Sequence, residues 1–260
     1  MAIRNILTFL LLIICGAFNS QSKVIVEYDY NFAHMQGMKA FVISDQKNSY
    51  FFFANDPAVN YKKLVETDFA AMNKLYVFDY DYDSEKMFQR VFIVPRQKQP
   101  DVPRLASEKL ENLDWKISNQ SKQILGYNAF LATTTFRGRD YSVWFTKDLK
   151  TEIFPWKLKG LPGVILEFED KDGFIKGVAK SIAINTNEEF PNKILTIFGN
   201  KKSEPLMPFK QLIELENEVF QDDMNKSIAA LPAGTEYEVP DIREMALEKS
   251  FEWQKDPKKP

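Results

Sequence analysis

The sequence predicts a mainly β protein: a single large curved antiparallel sheet, or an open half-barrel meander, with a few short helices. Phe, Trp and Tyr make up 14% of the 260 residues, and many of them fall in short runs where apolar and polar residues alternate. Turn residues separate these runs at short spacing, and little helical periodicity lies between them. This pattern favours antiparallel hairpins over βαβ units, with a β-sandwich as the alternative arrangement.

The N-terminal part of the chain contains five candidate strands. They cover residues 24–32, 39–44, 49–54, 75–81 and 86–94. The second and third flank Asp45-Gln-Lys-Asn48, and the fourth and fifth flank Asp83-Ser84, so each pair is separated by turn-forming residues.

The middle of the chain predicts a continuous antiparallel meander. Strands are expected at residues 114–118, 127–136, 139–146, 164–169 and 174–184. Gly138 and Asp172-Gly173 mark bends that pair 127–136 with 139–146 and 164–169 with 174–184, because glycine accepts positive φ. Further strands are expected at 194–198 and 246–253, helices at 61–73, 105–112 and 209–230, and loops at 97–104 and 232–240.

Residues 1–22 have the pattern of a secretory signal peptide. Arg4 supplies a positive charge, residues 6–17 form an apolar run, and Ser20 and Ser22 are small residues near a cleavage point. The run is shorter than the roughly 20 residues that span a bilayer, so no transmembrane anchor is expected in the mature chain. We expect export to the periplasm, the outer-membrane surface or the medium.

The mature chain is expected to be one β domain over residues 23–256, followed by a disordered tail at 257–260. Cys15 lies inside the apolar run and follows Ile14, whereas a lipoprotein signal has a small residue there, so lipid anchoring is not expected. Without Cys15 the exported domain contains no cysteine, and its stability must come from its core.

Charge and residue counts exclude several classes of function. Thirty-four basic and 36 acidic residues give a net charge of −2, which is not the basic footprint of a nucleic-acid binder. One Cys and one His exclude a disulfide framework, a Cys/His zinc site and most Ser-His or Cys-His catalysis. His34 is expected to be an ordinary surface or partly buried residue, and no cofactor is expected.

The hexamer Gly160-Leu161-Pro162-Gly163-Val164-Ile165 predicts a structural turn. Pro162 suits position i+1 of a type II turn, and Gly163 suits the positive φ that position i+2 requires. The hexamer matches neither glycine-rich phosphate-binding motif, and no helix is expected to follow it. We therefore expect it to shape the fold without performing chemistry.

Two acidic stretches are candidates for a calcium site and for a catalytic carboxylate pair. Residues 79–85 resemble the start of a calcium loop, but Ser84 and Arg90 stand where an EF-hand needs Gly and Glu, so a tyrosine-rich strand is favoured. Glu167, Glu169 and Asp170 are candidates for carboxylate catalysis by position alone. Glu167 and Glu169 alternate with apolar residues, which predicts solvent-facing positions on a strand.

Four tryptophans and two arginines are the remaining candidate ligand contacts. Trp115, Trp144, Trp156 and Trp253 either line a groove that stacks on a ligand or lie in the core. Arg137 and Arg139 either bind an anion or are surface charges at a bend.

The hexamer and its surroundings resemble the GLPGLI family of secreted proteins from the Bacteroidota lineage. The resemblance covers most of the mature chain and extends over Asp114-Trp-Lys-Ile117, Ile124-Leu-Gly-Tyr127, Ala132-Thr-Thr-Thr-Phe-Arg-Gly-Arg139, Tyr141-Ser-Val-Trp-Phe-Thr146, Pro155-Trp156 and Leu247-Glu-Lys-Ser-Phe-Glu-Trp253. Val164 stands where the family name has Leu, and Asn128-Ala129-Phe130 stands where many members carry a Cys. The resemblance implies export and an antiparallel β fold, but no activity. A related domain at the N-terminus of a bacterial N-glycan amidase, outside its catalytic part, favours an accessory role.

We therefore expect a non-catalytic binding or accessory module of the cell envelope that presents an aromatic-lined groove to a lipid, peptide or glycan. A carboxylate-dependent hydrolase and a structural or assembly protein of the envelope are the alternatives. Two acids converging in one pocket would favour the hydrolase, and a stoichiometric envelope partner would favour the assembly protein.

Overall fold

One 12-stranded sheet contains all the strands of the computed structural model, which describes residues 23–33, 35–45, 47–54, 75–92, 103–199, 201, 205–232 and 234–254. The strands are β1 (Val24–Phe32), β2 (Met35–Ser44), β3 (Asn48–Ala54), β4 (Leu75–Asp81), β5 (Lys86–Arg90), β6 (Leu105–Lys109), β7 (Lys116–Ile124), β8 (Tyr127–Phe136), β9 (Arg139–Thr146), β10 (Val164–Asp170), β11 (Ile175–Ile184) and β12 (Leu206–Pro208). The helices in the described ranges are α1 (Asn192–Phe198), α2 (Phe209–Ala229) and a 3₁₀ turn at Glu252–Gln254.

Two meanders joined side by side make up the sheet. The strand order is β12-β6-β5-β4-β3-β2-β1-β11-β10-β9-β8-β7, so β11 returns to pair with β1. Neighbouring strands are antiparallel except β12 and β6. The predicted mainly antiparallel sheet is confirmed, including the β8–β9 and β10–β11 hairpins, and the strands do not divide into a sandwich.

The sheet curves around the segment that connects β9 to β10, which we call the plug (residues 147–163). Phe154 of the plug packs against Tyr80 of β4 at 5.3 Å between ring centroids, while Trp156 packs against Phe136 of β8 at 5.8 Å. In a flat sheet β4 and β8 would be about 34 Å apart, since seven strand spacings of about 4.8 Å separate them. Two plug residues so close in sequence contact both strands only because the sheet bends.

The main core lies between the plug and the inner face of the sheet. Tyr28 and Tyr30 of β1, Phe145 of β9 and Phe168 of β10 are all buried there. The Tyr28 hydroxyl donates a hydrogen bond to the Ile165 carbonyl oxygen at 2.7 Å, so the polar end of this buried ring is satisfied. The aromatic richness of the sequence therefore serves mainly to fill the space inside the curved sheet.

Helix α1 covers the outer face of the first meander. Its buried Ile194 and Phe198, four positions apart, belong to one cluster with Ile25, Phe41 and Tyr50, and the Phe198 ring lies 6.2 Å from the Tyr50 ring. The strand predicted at 194–198 is therefore wrong. A short, almost wholly apolar run has no clear period, and here the helical spacing brings two side chains onto one aromatic surface.

Helix α2 is confirmed where the sequence predicted it, and it packs beside β6 and β12. Phe209, Leu212, Ile213 and Leu215 are buried on one side of the helix against Met207, Ala106 and Phe251. Within the described ranges, no helix combines the length and the apolar character needed to cross a membrane.

Three further predicted elements differ from the structure. The helix predicted at 105–112 is strand β6, because its backbone bonds to β5 on one side and β12 on the other. The strand predicted at 246–253 consists of turns ending in the 3₁₀ turn, because its backbone groups bond to arginines and to the 137–139 bend. The strand predicted at 114–118 begins at Lys116 and extends to Ile124 with a bulge.

Several predictions fall wholly or partly outside the described residues. These are the signal peptide at 1–22, His34, the helix at 61–73, most of the 97–104 loop, the end of the 86–94 strand, and the C-terminal tail.

Candidate functional site

A cavity of about 330 Å³ lies between strands β1, β4 and β5, helix α2 and the C-terminal segment 242–248. It is lined by Phe32 at the end of β1, Tyr76 near the start of β4 and Arg90 at the end of β5. Trp156 of the plug also lines the cavity, as do Phe209, Ile213 and Glu216 of α2. A mostly apolar concavity with a few polar groups is the usual form of a small-molecule site.

An aromatic wall lines one side of this cavity. Tyr76 stacks on Phe53 with 4.7 Å between ring centroids, and it lies 6.2 Å from Phe32 and 5.5 Å from Phe92. Tyr76 is 39% exposed, Phe92 44% and Met245 57%, so the rim presents large apolar side chains to solvent. These three are among the most exposed large hydrophobic residues that the structure describes, and all three line this one cavity.

Two arginines and a glutamate supply polar groups to the cavity. Arg243 donates from Nη2 to Glu216 Oε2 at 3.0 Å, and its Nε has no acceptor among the described residues. The buried Nη1 of Arg90 likewise has no acceptor there, and its guanidinium lies 5.4 Å from the centre of the Phe92 ring. Burial raises the pKa of Glu216 above its usual value, and the charge of Arg243 only partly opposes this.

Trp156 occupies a strained position at the cavity. It is 4% exposed and has φ +52°, a region that bulky residues rarely adopt. Its Nε1–H has no acceptor in the part of the chain that the structure describes. Such strain is maintained only when the surrounding packing fixes it, and it is concentrated at functional sites.

The four candidate tryptophans do not meet in one groove of the described structure. Trp156 alone lines the cavity, while Trp253 lies behind its wall, stacked on Phe251 at 4.7 Å. Trp115 donates from Nε1 to the Lys159 carbonyl oxygen at 2.8 Å. Trp144 is half-buried on β9, under the ammonium group of Lys122.

Arg137 and Arg139 are not the surface charges that one alternative assigned to this bend, since their side chains are only 8% and 1% exposed. Arg139 uses all three guanidinium nitrogens, donating to Asp170 at 2.7 Å and to the carbonyl oxygens of Leu247 and Ala246. Arg137 also uses all three. Its carboxylate partners are Glu108, Glu248 and Glu252. Among the described residues, the donors of both arginines are therefore occupied by groups of the protein itself.

Lys157 completes a buried charge cluster under the cavity, together with Arg137, Glu108 and Glu248. Its Nζ lies 2.5 Å from Glu108 and 2.9 Å from Glu248, and its side chain has no exposed area. Burial acts to raise the pKa of Glu108, but the charges of Lys157 and Arg137 outweigh burial and hold the pKa below its usual value. The cluster ties β6, the plug and the C-terminal segment together.

The hexamer at 160–165 joins the end of the plug to the start of β10 and does not line the cavity. Gly163 has the predicted positive φ, +151°, but the turn is tighter than type II, because the Gly163 N–H bonds to the Leu161 carbonyl oxygen at 2.9 Å. A Cβ on Gly163 would lie 1.8 Å from the Thr146 carbonyl oxygen. This glycine therefore allows the plug to approach the end of β9.

Four of the acidic residues singled out in the sequence are paired with lysines, whereas Asp170 pairs with Arg139. Lys201 Nζ lies 2.6 Å from Asp79 and 3.2 Å from Asp81, and the described residues contain no acid or histidine cluster suited to a metal ion. Glu167 pairs with Lys122 at 2.6 Å and Glu169 with Lys176 at 2.9 Å, both on the more accessible side of β10.

A larger depression of about 560 Å³ lies across β8, β9 and β10. Hydroxyl and charged side chains such as Thr133, Ser142, Asp140 and Glu169 line it. It lacks the aromatic wall and the unused arginine donors of the smaller cavity, which is therefore the candidate site.

Sequence reasoning missed Arg90, Arg243 and Glu216. They come from β5, the C-terminal segment and α2, and no spacing in the chain relates them. Only the aromatic alternation around Tyr76 pointed to one wall of the cavity.

No family model matches the chain, and no curated protein matches it. The solved structures similar to it include PNGF-II in the C2 and P21 space groups, with TM-scores of 0.49 and 0.48 and sequence identities of 18% and 17%. The matches cover 74% of this chain but 32% and 33% of those chains, so this chain spans about a third of their length.

Proposed function

We propose that this chain is an exported binding module of the cell envelope, and that its cavity holds a ligand with an apolar surface. The exposed aromatic wall around Tyr76 is the observation that carries the proposal. Exposed apolar surface that lines a concavity gains roughly 25 cal/mol for each Å² that a ligand covers. A lipid, a peptide side chain and the flat face of a glycan all offer such a surface.

Native mass spectrometry of the protein purified from its own host tests for the ligand directly. We expect a bound small molecule that Tyr76→Ala releases, because the substitution removes the central ring of the wall. Tyr237→Ala is the matched control, since Tyr237 is 55% exposed and does not line the cavity. Equal ligand retention by both variants would place the ligand elsewhere.

Export is part of the proposal, supported by Arg4, the apolar run at 6–17 and the small residues after it. Mass spectrometry of the mature protein should find its first residue near positions 21–23. A cytoplasmic protein that keeps Met1 would contradict export.

A carboxylate-dependent hydrolase is the second candidate, because Glu216 and Glu248 both line the cavity. Their surroundings differ: burial raises the pKa of Glu216, whereas Glu248 contacts the cations Lys157 and Arg137. Two carboxyl groups held in unlike surroundings are the arrangement of acid and base in several hydrolases. Incubation with envelope glycans and peptides, read by mass spectrometry, would show products that Glu216→Gln abolishes. Unchanged glycans and peptides would reject this candidate.

A further inference from the structure

We infer that the ligand of this cavity carries an anionic oxygen group, a carboxylate or a phosphate ester, and that Arg90 and Arg243 bind it while the aromatic wall holds the apolar part. This inference rests on the proposed binding function and specifies its chemistry.

The arginines that line the cavity differ from the other buried arginines in their unused donors. Arg137 and Arg139 each engage all three guanidinium nitrogens with carboxylates or carbonyl oxygens. Arg90 has a buried Nη1 without an acceptor, and Arg243, which is 8% exposed, has an unpaired Nε; both statements concern the described part of the chain. Elsewhere this protein satisfies its buried guanidinium groups, so the exceptions indicate a missing acceptor.

A third unpaired donor belongs to the same cavity. Trp156 Nε1 has no acceptor among the described residues, although Trp115 Nε1 reaches a carbonyl oxygen. Arg90, Trp156 and Arg243 come from β5, the plug and the C-terminal segment, and they are brought together only by the fold. Unsatisfied buried donors are costly, and the acceptor oxygens of a ligand in this cavity would reduce that cost.

The charges around the cavity favour an anion despite its two carboxylates. Glu248 is held by Lys157 and Arg137, and Glu216 pairs with one nitrogen of Arg243. Arg90 makes no ion pair with any residue that the structure describes, and its guanidinium lies 5.4 Å from the centre of the Phe92 ring. The guanidinium fork suits carboxylate and phosphate oxygens, so Arg90 is the primary anchor and Arg243 the second.

Calorimetric titration with three matched probes tests the inference on the mature protein. Decanoate, decyl phosphate and decanol each contain a ten-carbon chain and differ in the head group. Each is used below its critical micelle concentration. We expect at least one of the two anions to bind roughly 10- to 100-fold more tightly than decanol, as charge-assisted hydrogen bonds would give. Preference between decanoate and decyl phosphate identifies which oxyanion the site selects.

Substitutions at the two arginines locate the anion. Arg90→Gln should remove most of the preference for the anion and leave decanol affinity unchanged. Arg243→Lys keeps a cation beside Glu216 but deletes the Nε–H, and it should lower anion affinity without loss of folding, as checked by circular dichroism. Lys226→Gln removes one positive charge ten residues along α2 from Glu216, and it should bind like the parent.

Three results would overturn the inference. Equal affinity for decanol and both anions would show an apolar site without an oxyanion contact, and the proposed binding function would stand. Anion binding that persists in Arg90→Gln and Arg243→Lys would place the anion elsewhere. Failure of every probe to bind the parent would reject this ligand class, while native mass spectrometry judges the binding function separately.

Discussion

Among the described glycines, Gly163 leaves the least room for a Cβ. Its φ of +151° is disfavoured for any residue with a Cβ, and the nearest atom to such a Cβ is a backbone oxygen rather than a flexible side chain. Two penalties therefore coincide, one from the dihedral angle and one from the collision with Thr146. Gly126, with φ +81° and open space around its missing side chain, has the first penalty alone.

We predict that Gly163→Ala lowers the free energy of unfolding by clearly more than Gly126→Ala does. The control should lose about 1–2 kcal/mol from its positive φ. Gly163→Ala, and still more Gly163→Val, must also move the plug away from Thr146. Thermal melting of the variants measures the difference, with Glu167→Gln as a second control expected to cost no more than about 1 kcal/mol. Equal melting of Gly163→Ala and Gly126→Ala would refute the collision.

Side-chain partners explain which residues could be assigned from the sequence. Gly163 was predictable because positive φ is a property of its own turn. The burial of Arg139 was not predictable, because its partners Asp170, Ala246 and Leu247 lie 31 or more positions away in the chain. The same holds for Arg90 and Arg243. Their unpaired donors are a property of the folded surroundings, which the local sequence does not show.

At the scale of elements, strand β10 makes two ion pairs of different burial with its two neighbours. Asp170 pairs with Arg139 of β9, and both side chains are 1% exposed. Glu169 pairs with Lys176 of β11, and those side chains are 45% and 46% exposed, respectively. The first pair also fixes the C-terminal segment through two carbonyl oxygens, so β9 and β10 together hold one wall of the cavity in place.

We predict that Arg139→Gln destabilises the protein by roughly 3–5 kcal/mol, because it leaves Asp170 as an uncompensated buried charge. Lys176→Gln, which breaks the exposed pair one position away on β10, should cost less than about 1 kcal/mol. Urea unfolding followed by circular dichroism measures both. The double variant Arg139→Met with Asp170→Asn should recover part of the loss, because no buried charge remains. Similar costs for the two single variants would contradict this account.

The whole molecule shows what the sequence could predict of the fold and where prediction stopped. Most of the antiparallel strands and both central hairpins followed from local alternation and turn residues, and local signals are enough for those elements. The pairing of β1 with β11 joins Val24 to Ile184, and no local pattern selects that partner. The cavity forms where β1, β4, β5, the plug, α2 and the C-terminal segment meet, so its lining is a product of long-range pairing.

Stability against acid should depend on two glutamates in opposite ways. The pKa of Glu108 is lowered in the folded state, so Glu108 contributes stability above its unfolded pKa and loses it as pH falls through the folded value. The pKa of Glu216 is raised, so its ionisation at neutral pH opposes folding, and acidification relieves this. In the folded protein the pKa of Glu108 therefore lies below the ordinary value of 4.5, and the pKa of Glu216 lies above it.

The last prediction compares Glu108→Gln and Glu216→Gln with the parent between pH 7 and pH 3. Glu108→Gln should be much less stable than the parent at pH 7, because Lys157 and Arg137 lose a carboxylate partner, and the gap should narrow as pH falls from about 4.5 toward 3 and the parent protonates Glu108. Glu216→Gln should change in the other direction: relative to this variant, the parent gains stability as pH falls, because its buried carboxylate takes up a proton. Urea unfolding at each pH gives both difference curves. If the stability difference from the parent changed with pH in the same direction for both variants, the charges around Glu108 would not outweigh its burial. The cluster that joins β6, the plug and the C-terminal segment would then owe its stability to packing rather than to charge.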